Sequence, residues 1–475
     1  MLRALSDQPG SVVGFRLSCH ARNITQQQLT GLAHHLARCT RLQTLDVQIH
    51  PLLGENFIHA LAPLLQPGGA PLELVTLKGL TADACSAAAT LLSRSTVLRC
   101  LRLDCAAAVP GKAGTALAAL LRSSSCRLSH LAFGCTRLIW DSGAAVRPIA
   151  EALAHNTSVQ VLDISGIDFD ADDVAMLARG VHDNASLRSL TLYCCQMDVR
   201  PLFTSLGSLR ELRICDLQVE VTPEAAAGLG DALGDERSCM QVLKLDCCSM
   251  PLLPMAPGLR ANASLTELIL TDLHTSDAEV SCILDALSAR KAHLIKLKIH
   301  CMYAFAPATT RSLALAVQSG ALAAVETLSL KGCAFGDASV ELLCEALSLN
   351  ARISKLRLDE CAFGPRGAAA VARLLQARQS LASLTIDNNP IIEDGALVLA
   401  DALHTNTTLS LFSAQRCRLG TGGLAVLRQA VAHNARLVTQ FDEEYEEEEE
   451  EEDDDDDDDD VDEDNDEDDE EEGDM

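Results

Sequence analysis

Aromatic residues are scarce in this chain: Trp, Tyr and Phe make up 3 % of 475 residues, with one Trp and three Tyr. Any core must therefore be aliphatic. No uninterrupted run of 18 apolar residues occurs, so no membrane contact is expected, and the stretch from Met1 to Gly10 lacks the apolar segment of a signal peptide. The 19 cysteines come without a secretory signal and without a CxxC pair, which points to free, mostly buried thiols instead of a disulfide scaffold or a zinc site. Phosphate-cradling GxxxxGK[ST], GxSxG and HExxH are all missing. The 13 histidines are scattered, and no catalytic residue, cofactor or metal ligand is assigned. These absences describe a soluble protein of the cytoplasm, or of the nucleus and its periphery, without intrinsic catalysis.

Basic residues are absent from one place in particular. From Asp442 to Met475 the chain holds 29 acidic residues in 34 and no Lys or Arg. The whole chain has 67 acidic and 38 basic residues, so residues 1–441 carry 38 of each and are formally neutral. All of the net charge of -29 belongs to the acidic end. Such density of like charge, with almost nothing apolar to bury, predicts a disordered tail over 442–475. It serves either as a solubilising brush or as an electrostatic contact for basic proteins, or for basic residues of the same chain. Phosphate would be repelled, so direct nucleic-acid binding at this end is excluded.

What the body has in abundance is repetition. The pattern LxxLxL, with other apolar residues substituting, starts at Val12, Leu42, Leu72, Leu98, Leu128 and Val159. It continues at Leu187, Leu209, Met240, Leu265, Leu294, Val325, Ile353, Leu381 and Leu409, with a degenerate start at Leu437. The mean interval is 28.3 residues, and the last four intervals are 28 each. The unit ISKLRLDECAFGPRGAAAVARLLQARQ shows the internal order. Ile353, Leu356 and Leu358 read as a short strand and its approach, Cys361 and Phe363 turn inward, and Gly364–Pro365 makes a turn. A helix follows, with Ala368, Val371 and Leu374 on one face. No unit can bury its apolar face alone, so the units must stack.

This grammar resembles the leucine-rich repeat superfamily, in its ribonuclease-inhibitor-like class of 28-residue helical repeats. The resemblance covers about residues 12–440 and implies an α/β solenoid, a horseshoe of about 15 repeats with parallel strands on the concave side and helices on the convex side. Residues 1–441 then form one repeat domain. The family's buried Cys or Asn, ninth from the first leucine, corresponds to Cys195, Cys248, Cys333, Cys361, Asn389 and Cys417. Ala106, Thr136 and Ile167 depart from it, and the 22-residue interval after Leu187 predicts a truncated helix. In the pairs Cys194–Cys195 and Cys247–Cys248 one thiol is expected inward and one outward. NxS/T sequons stand at Asn23, Asn156, Asn184, Asn262 and Asn406. Four of them close a helical stretch, where Asn suits a left-handed helix end better than a glycan.

The expected function is protein binding: a scaffold or adaptor that holds a folded partner on the concave face. Residues between the leucines point there, and in later repeats they include Lys244, Lys296, Lys298, Lys331, Lys355 and Arg357. They form either a mixed, solvated face, interrupted by acids such as Glu267 and Asp359, or a basic stripe that docks an acidic partner or the protein's own tail. A solenoid followed by an acidic tail also resembles the GTPase-activating protein of the nuclear-transport GTPase Ran, which implies a small GTPase as partner and an essential loop arginine. Here VPGKAG offers Lys112, CTRLIWDSG offers Arg137 without the family's GR context, and DECAFGPRG has Cys361 in place of Asn and offers Arg366. The tail alone is similar to acidic leucine-rich chaperones of basic proteins. If the tail masks the stripe, removing residues 442–475 should tighten capture of an acidic partner; equal affinity with and without the tail would remove that reading.

Overall fold

The computed structural model describes residues 12–441, apart from residues 19–24, 49–53, 67–68, 107, 136–140, 218–219, 274–275, 291–293, 302–305, 378–379, 433 and 435. Within the repeat unit, sixteen strands form one parallel sheet in sequence order, from Gly14–Ser18 to Val438–Gln440. Each LxxLxL supplies one strand, and even the degenerate motif at Leu437 supplies the last. Register is kept from unit to unit: Leu212 pairs with Leu243, Leu243 with Leu268, and Leu268 with Leu297. The second and fourth side chains of a strand such as Val242–Asp246 face the core, and the first, third and fifth face out. The architecture is a leucine-rich repeat solenoid.

Helices return the chain along one side of the sheet, and small residues set how closely they pack. In the helix Pro365–Ala377, Gly367, Ala368, Ala370, Val371, Ala372, Leu374 and Leu375 are buried. The closest approach joins Gly258 of Ala256–Ala261 to Gly230 of Pro223–Gly234, where an added Cβ would lie 1.7 Å from the Gly230 carbonyl oxygen. The core is aliphatic as the composition demands, punctuated by the fully buried Phe57, Phe133, Phe203, Phe363 and Phe412. The short interval after Leu187 yields a helix of only four residues, Arg200–Phe203. The 25-residue interval after Met240 is also compressed, to Leu253–Met255 and Ala256–Ala261.

Two ladders of buried polar side chains tie many of the units to their predecessors. At the end of the strand, the ninth-position thiols are buried and outside any disulfide, and each donates to a carbonyl one repeat back. Cys361 Sγ donates to Leu330 O at 3.0 Å, and Cys417 Sγ to Ile386 O at 3.2 Å. Asn389 does the same work more strongly. Its Nδ2 donates to Leu358 O at 2.8 Å and Ile386 O at 2.7 Å, while its Oδ1 accepts from the Cys361 amide at 2.9 Å. Of the departing positions, Ala106 uses its backbone amide toward Leu80 O, Ile167 is buried, and Thr136 lies outside the described residues.

The second ladder is made by the sequon asparagines. Asn156 Nδ2 donates to Leu121 O at 2.9 Å, Asn184 Nδ2 to Leu153 O at 2.6 Å and Asn262 Nδ2 to Leu233 O at 2.6 Å. Each Oδ1 accepts amides two and three residues on, as Asn184 does from Ser186 and Leu187. The structural reading of these sequons holds, but its mechanism differs from the expected one. Asn184, Asn262 and Asn406 have φ of -81°, -63° and -81° with extended ψ, so none ends its helix in the left-handed region. Their value lies in the carboxamide, which satisfies a helix-end carbonyl and two turn amides at once. Asn23 lies outside the described residues.

Left-handed backbone occurs elsewhere, in the turns leaving four successive strands: Cys194, Asp216, Cys247 and Asp272 have φ of 49°, 54°, 47° and 50°. The paired cysteines divide accordingly. Cys195 and Cys248 are fully buried, Cys247 is exposed, and Cys194 turns outward but is covered, its thiol donating to Asp216 Oδ2 at 2.8 Å. Burial first, then nearby aspartates, push both outward thiols up and keep them protonated.

Replacing Asn389 with Ala strands the buried Leu358 carbonyl and the Cys361 amide, and should lower the unfolding free energy by about 2–3 kcal/mol in urea titrations. Asn389→Cys should recover much of that loss, because the units on either side already run on Cys361 and Cys417; equal losses for both variants would refute the equivalence of the two side chains.

Candidate protein-binding surface

Alternation along the strands leaves one face of the sheet to its first, third and fifth residues. Register then arranges these side chains in three rows running across the strands. The middle row reads Arg213, Lys244, Ile269, Lys298, Ser329, Arg357, Thr385 and Ser413. Neighbours in a row are about 4.8 Å apart along the sheet. Lys244, Lys298 and Arg357 therefore share a row on alternate strands. Lys296 and Lys355 stand in the first row, two strands apart. Lys331 follows the strand Thr327–Ser329 in its turn, where it pairs with Glu360 at 3.3 Å. The six predicted cations share a region, but not a single stripe.

Most of them are neutralised locally. Lys244 pairs with Asp246 at 2.8 Å, Lys296 with Glu267 at 2.8 Å, and Arg357 with Asp359. Arg213, which the same pattern over Leu209 would have added to the set, pairs with Glu211. Lys298 and Lys355 have no ion-pair partner among the described residues. Lys355 is exposed and Lys298 half-buried. Burial, followed by repulsion from Lys296, Arg357 and Lys244, holds the Lys298 ammonium below its ordinary value. His300, beside it, is lowered for the same reasons. Together with Asp246, Glu267, Ile269 and Lys296 these groups line an open cleft of about 380 Å³.

A second cleft of about 380 Å³ lies in the earlier repeats, where small Ala132 and Gly166 leave room between larger neighbours. Arg102 donates to Asp104 at 2.9 Å on one side, and Tyr193, 52 % exposed, stands on the other. Asp163 also lines it, and its Oδ2 meets His130 Nε2 at 2.8 Å. That hydrogen bond, aided by Cys100, lifts His130 from 6.5 to about 9, so the ring is cationic at neutral pH. Burial works against an ionised Asp163, but His130 and Thr191 outweigh it and keep the carboxyl below its usual value. This cleft escaped sequence reading, although the alternate positions of the Leu128, Val159 and Leu187 motifs name all of its charged groups except the Arg102–Asp104 pair, which the Leu98 motif supplies.

Of the two arginines suggested by the Ran-activator resemblance, Arg366 does not line either cleft. Arg137 lies outside the described residues. Arg366 is the exposed second residue of the helix Pro365–Ala377, in place of the expected loop. Asp246, Cys247 and Asp272 approach one another at the strand ends, but the Asp246 carboxylate is already engaged by Lys244 and Thr271. Among the described residues no helix is long and apolar enough to cross a membrane.

No protein-family model matches the chain, and no curated protein matches it. Among solved structures, it is similar to an internalin from Listeria monocytogenes str. 4b F2365 at 14 % identity and a TM-score of 0.36, with 94 % of each chain covered. It is also similar to the actin-binding site 2 of leiomodin-1 at 22 % identity and a TM-score of 0.24, over 25 % of this chain and 72 % of the other. At such scores the similarities carry no argument about function, and the solenoid is defined by its own strand register and ladders.

The His130–Asp163 pair makes stability depend on pH with a definite sign. A histidine raised to about 9 contributes stability that is complete below its unfolded value of 6.5 and fades as pH rises through 9. Histidine NMR should give a titration midpoint near 9 for His130, falling toward about 6.5 in Asp163→Asn; an unchanged midpoint in that variant would assign the shift to another group.

Proposed function

We propose that the chain is a non-catalytic scaffold that holds a folded protein partner on the open face of its sheet. One observation carries the reading. Helices occupy one side of the sixteen-stranded sheet, while the other presents three rows of polar and charged side chains broken by two clefts of about 380 Å³. Clefts of this kind accept anchoring side chains, and charge patterns around them select the partner. The two clefts differ in character. The earlier one is balanced by internal ion pairs and edged by Tyr193, whereas the later one keeps an unmatched lysine. A partner spanning both would read an aromatic and small-residue notch at one end and a half-buried lysine without an ion-pair partner at the other.

The tail supplies a second contact in this proposal. With 29 carboxylates over residues 442–475 it suits basic proteins, and such binding would be salt-sensitive. The GTPase-activator alternative gains nothing from Arg366, whose position on a helix away from both clefts offers no reason to prefer it.

Affinity capture from cell extract at about 0.15 M salt tests the face directly. Two variants are compared: Tyr193→Asp with Lys355→Glu on the open face, and Leu315→Arg with Leu349→Arg on exposed positions of the helical side. A stoichiometric partner should be lost from the first and kept by the second. Loss only from the helical-side variant would move recognition to the helices and end this proposal.

A further inference from the structure

We infer that the open face contains an acceptor site for the carboxylates of an acidic segment in the partner protein, centred on Lys298. This specifies the chemistry of one part of the scaffold surface and rests on that reading. Over six adjacent strands, from Glu211–Cys215 to Lys355–Arg357, and the turns that follow them, cations and carboxylates are interleaved and most of the cations are paired. Arg213, Lys244, Lys296, Lys331 and Arg357 each have a carboxylate partner. Lys298 does not, although it sits among them on the inner part of the surface. Its strand neighbours in the row are Ile269 and Ser329, neither of which can neutralise it.

An ammonium that is half-buried and crowded by Lys244, Lys296 and Arg357 is held at a cost, because both desolvation and like charge disfavour it. A carboxylate entering the cleft would offset both penalties by direct attraction and a charge-assisted hydrogen bond. The cleft has room for it: Lys298 lines the cavity with Lys244, Lys296 and His300, and of the carboxylates there Asp246 and Glu267 are taken up by Lys244 and Lys296, with Asp272 in the turn at the strand end. Lys355, exposed and also without a partner, lies two strands away, about 10 Å along the sheet, and provides a second attachment for the same segment.

The pattern distinguishes polypeptide from nucleic acid. A phosphate backbone carries charge at every nucleotide and is met by a continuous basic surface. Here Asp246, Glu267 and Asp359 are interleaved with the cations and would face neighbouring phosphates. Carboxylates on a polypeptide can be spaced apart, so one can reach Lys298 and another Lys355 while uncharged residues pass the aspartates.

Binding of a fluorescein-labelled, twelve-residue peptide of mixed Asp, Glu and Gly to the full chain, read by anisotropy at about 0.05 M salt, tests the inference. Lys298→Met, which keeps the packed stem, should weaken binding about tenfold, as removal of a desolvated charge partner does. Lys298→Glu should weaken it further, and Lys112→Ala on the helix Gly111–Arg122 should leave it unchanged. Absence of peptide binding to the wild-type chain, equal affinity in Lys298→Met, or tighter binding of a single-stranded oligonucleotide of equal charge would each overturn it. If Lys298→Met leaves both peptide and partner capture intact while Tyr193→Asp with Lys355→Glu abolishes capture, the scaffold reading stands and this one falls.

Discussion

Everything in this molecule follows from the fact that one repeat cannot bury its own apolar face or satisfy its own backbone. A unit leaves carbonyls at the end of its helix and at the end of its strand, and where the next unit carries a ladder Asn or Cys that side chain meets them. Asn156 reaches back to Leu121, Asn262 to Leu233, Cys361 to Leu330 and Cys417 to Ile386. These bonds are buried, so losing one leaves an unpaired group with no water to replace its partner. Stability is then a matter of adjacent pairs, and a fault in one unit is felt mainly by the units on either side.

The same stacking that fixes the core also builds the surface, with no further instruction. Because the register is constant, a side chain at a given place in LxxLxL always falls in the same row. The body as a whole is formally neutral, yet the rows separate charges that cancel in the count. Some pairs close within a strand, such as Lys244 with Asp246, and others across strands, such as Lys296 with Glu267. Lys298 is left over because its place in the middle row lies between Ile269 and Ser329. Specific recognition can thus arise on a neutral scaffold from one or two residues that the local pattern fails to match.

The solenoid was legible in the sequence because periodicity, strand alternation and the ninth-position Cys or Asn are local signals that repeat. The truncated helix before Leu209 was legible for the same reason, as a missing length. The ladder role of Asn184 and Asn406 was only half visible. Their place at helix ends could be read, but the extended backbone and the reach to a previous repeat depend on tertiary contact. The binding surface was least legible. Sequence order strings Lys296, Lys298, Lys331 and Lys355 together, whereas register assigns them to different rows. Which cation keeps a free charge depends on side-chain partners such as Glu360 and Asp359, which no motif encodes. The salt-bridged His130 was passed over because its partner, Asp163, comes from the following repeat.

The buried sequon asparagines have a consequence for how the protein can be made. Their Nδ2 hydrogens are spent on carbonyls of the preceding unit, and the side chains of Asn156, Asn184, Asn262 and Asn406 are almost fully enclosed. An oligosaccharide attaches through that same nitrogen, and does so while the chain is still being extended into the lumen of a secretory compartment. A sugar placed there would wedge adjoining units apart before they could dock. Production routes that glycosylate nascent chains should therefore yield misfolded material unless each sequon is disabled at its Ser or Thr, which leaves the carboxamide in place.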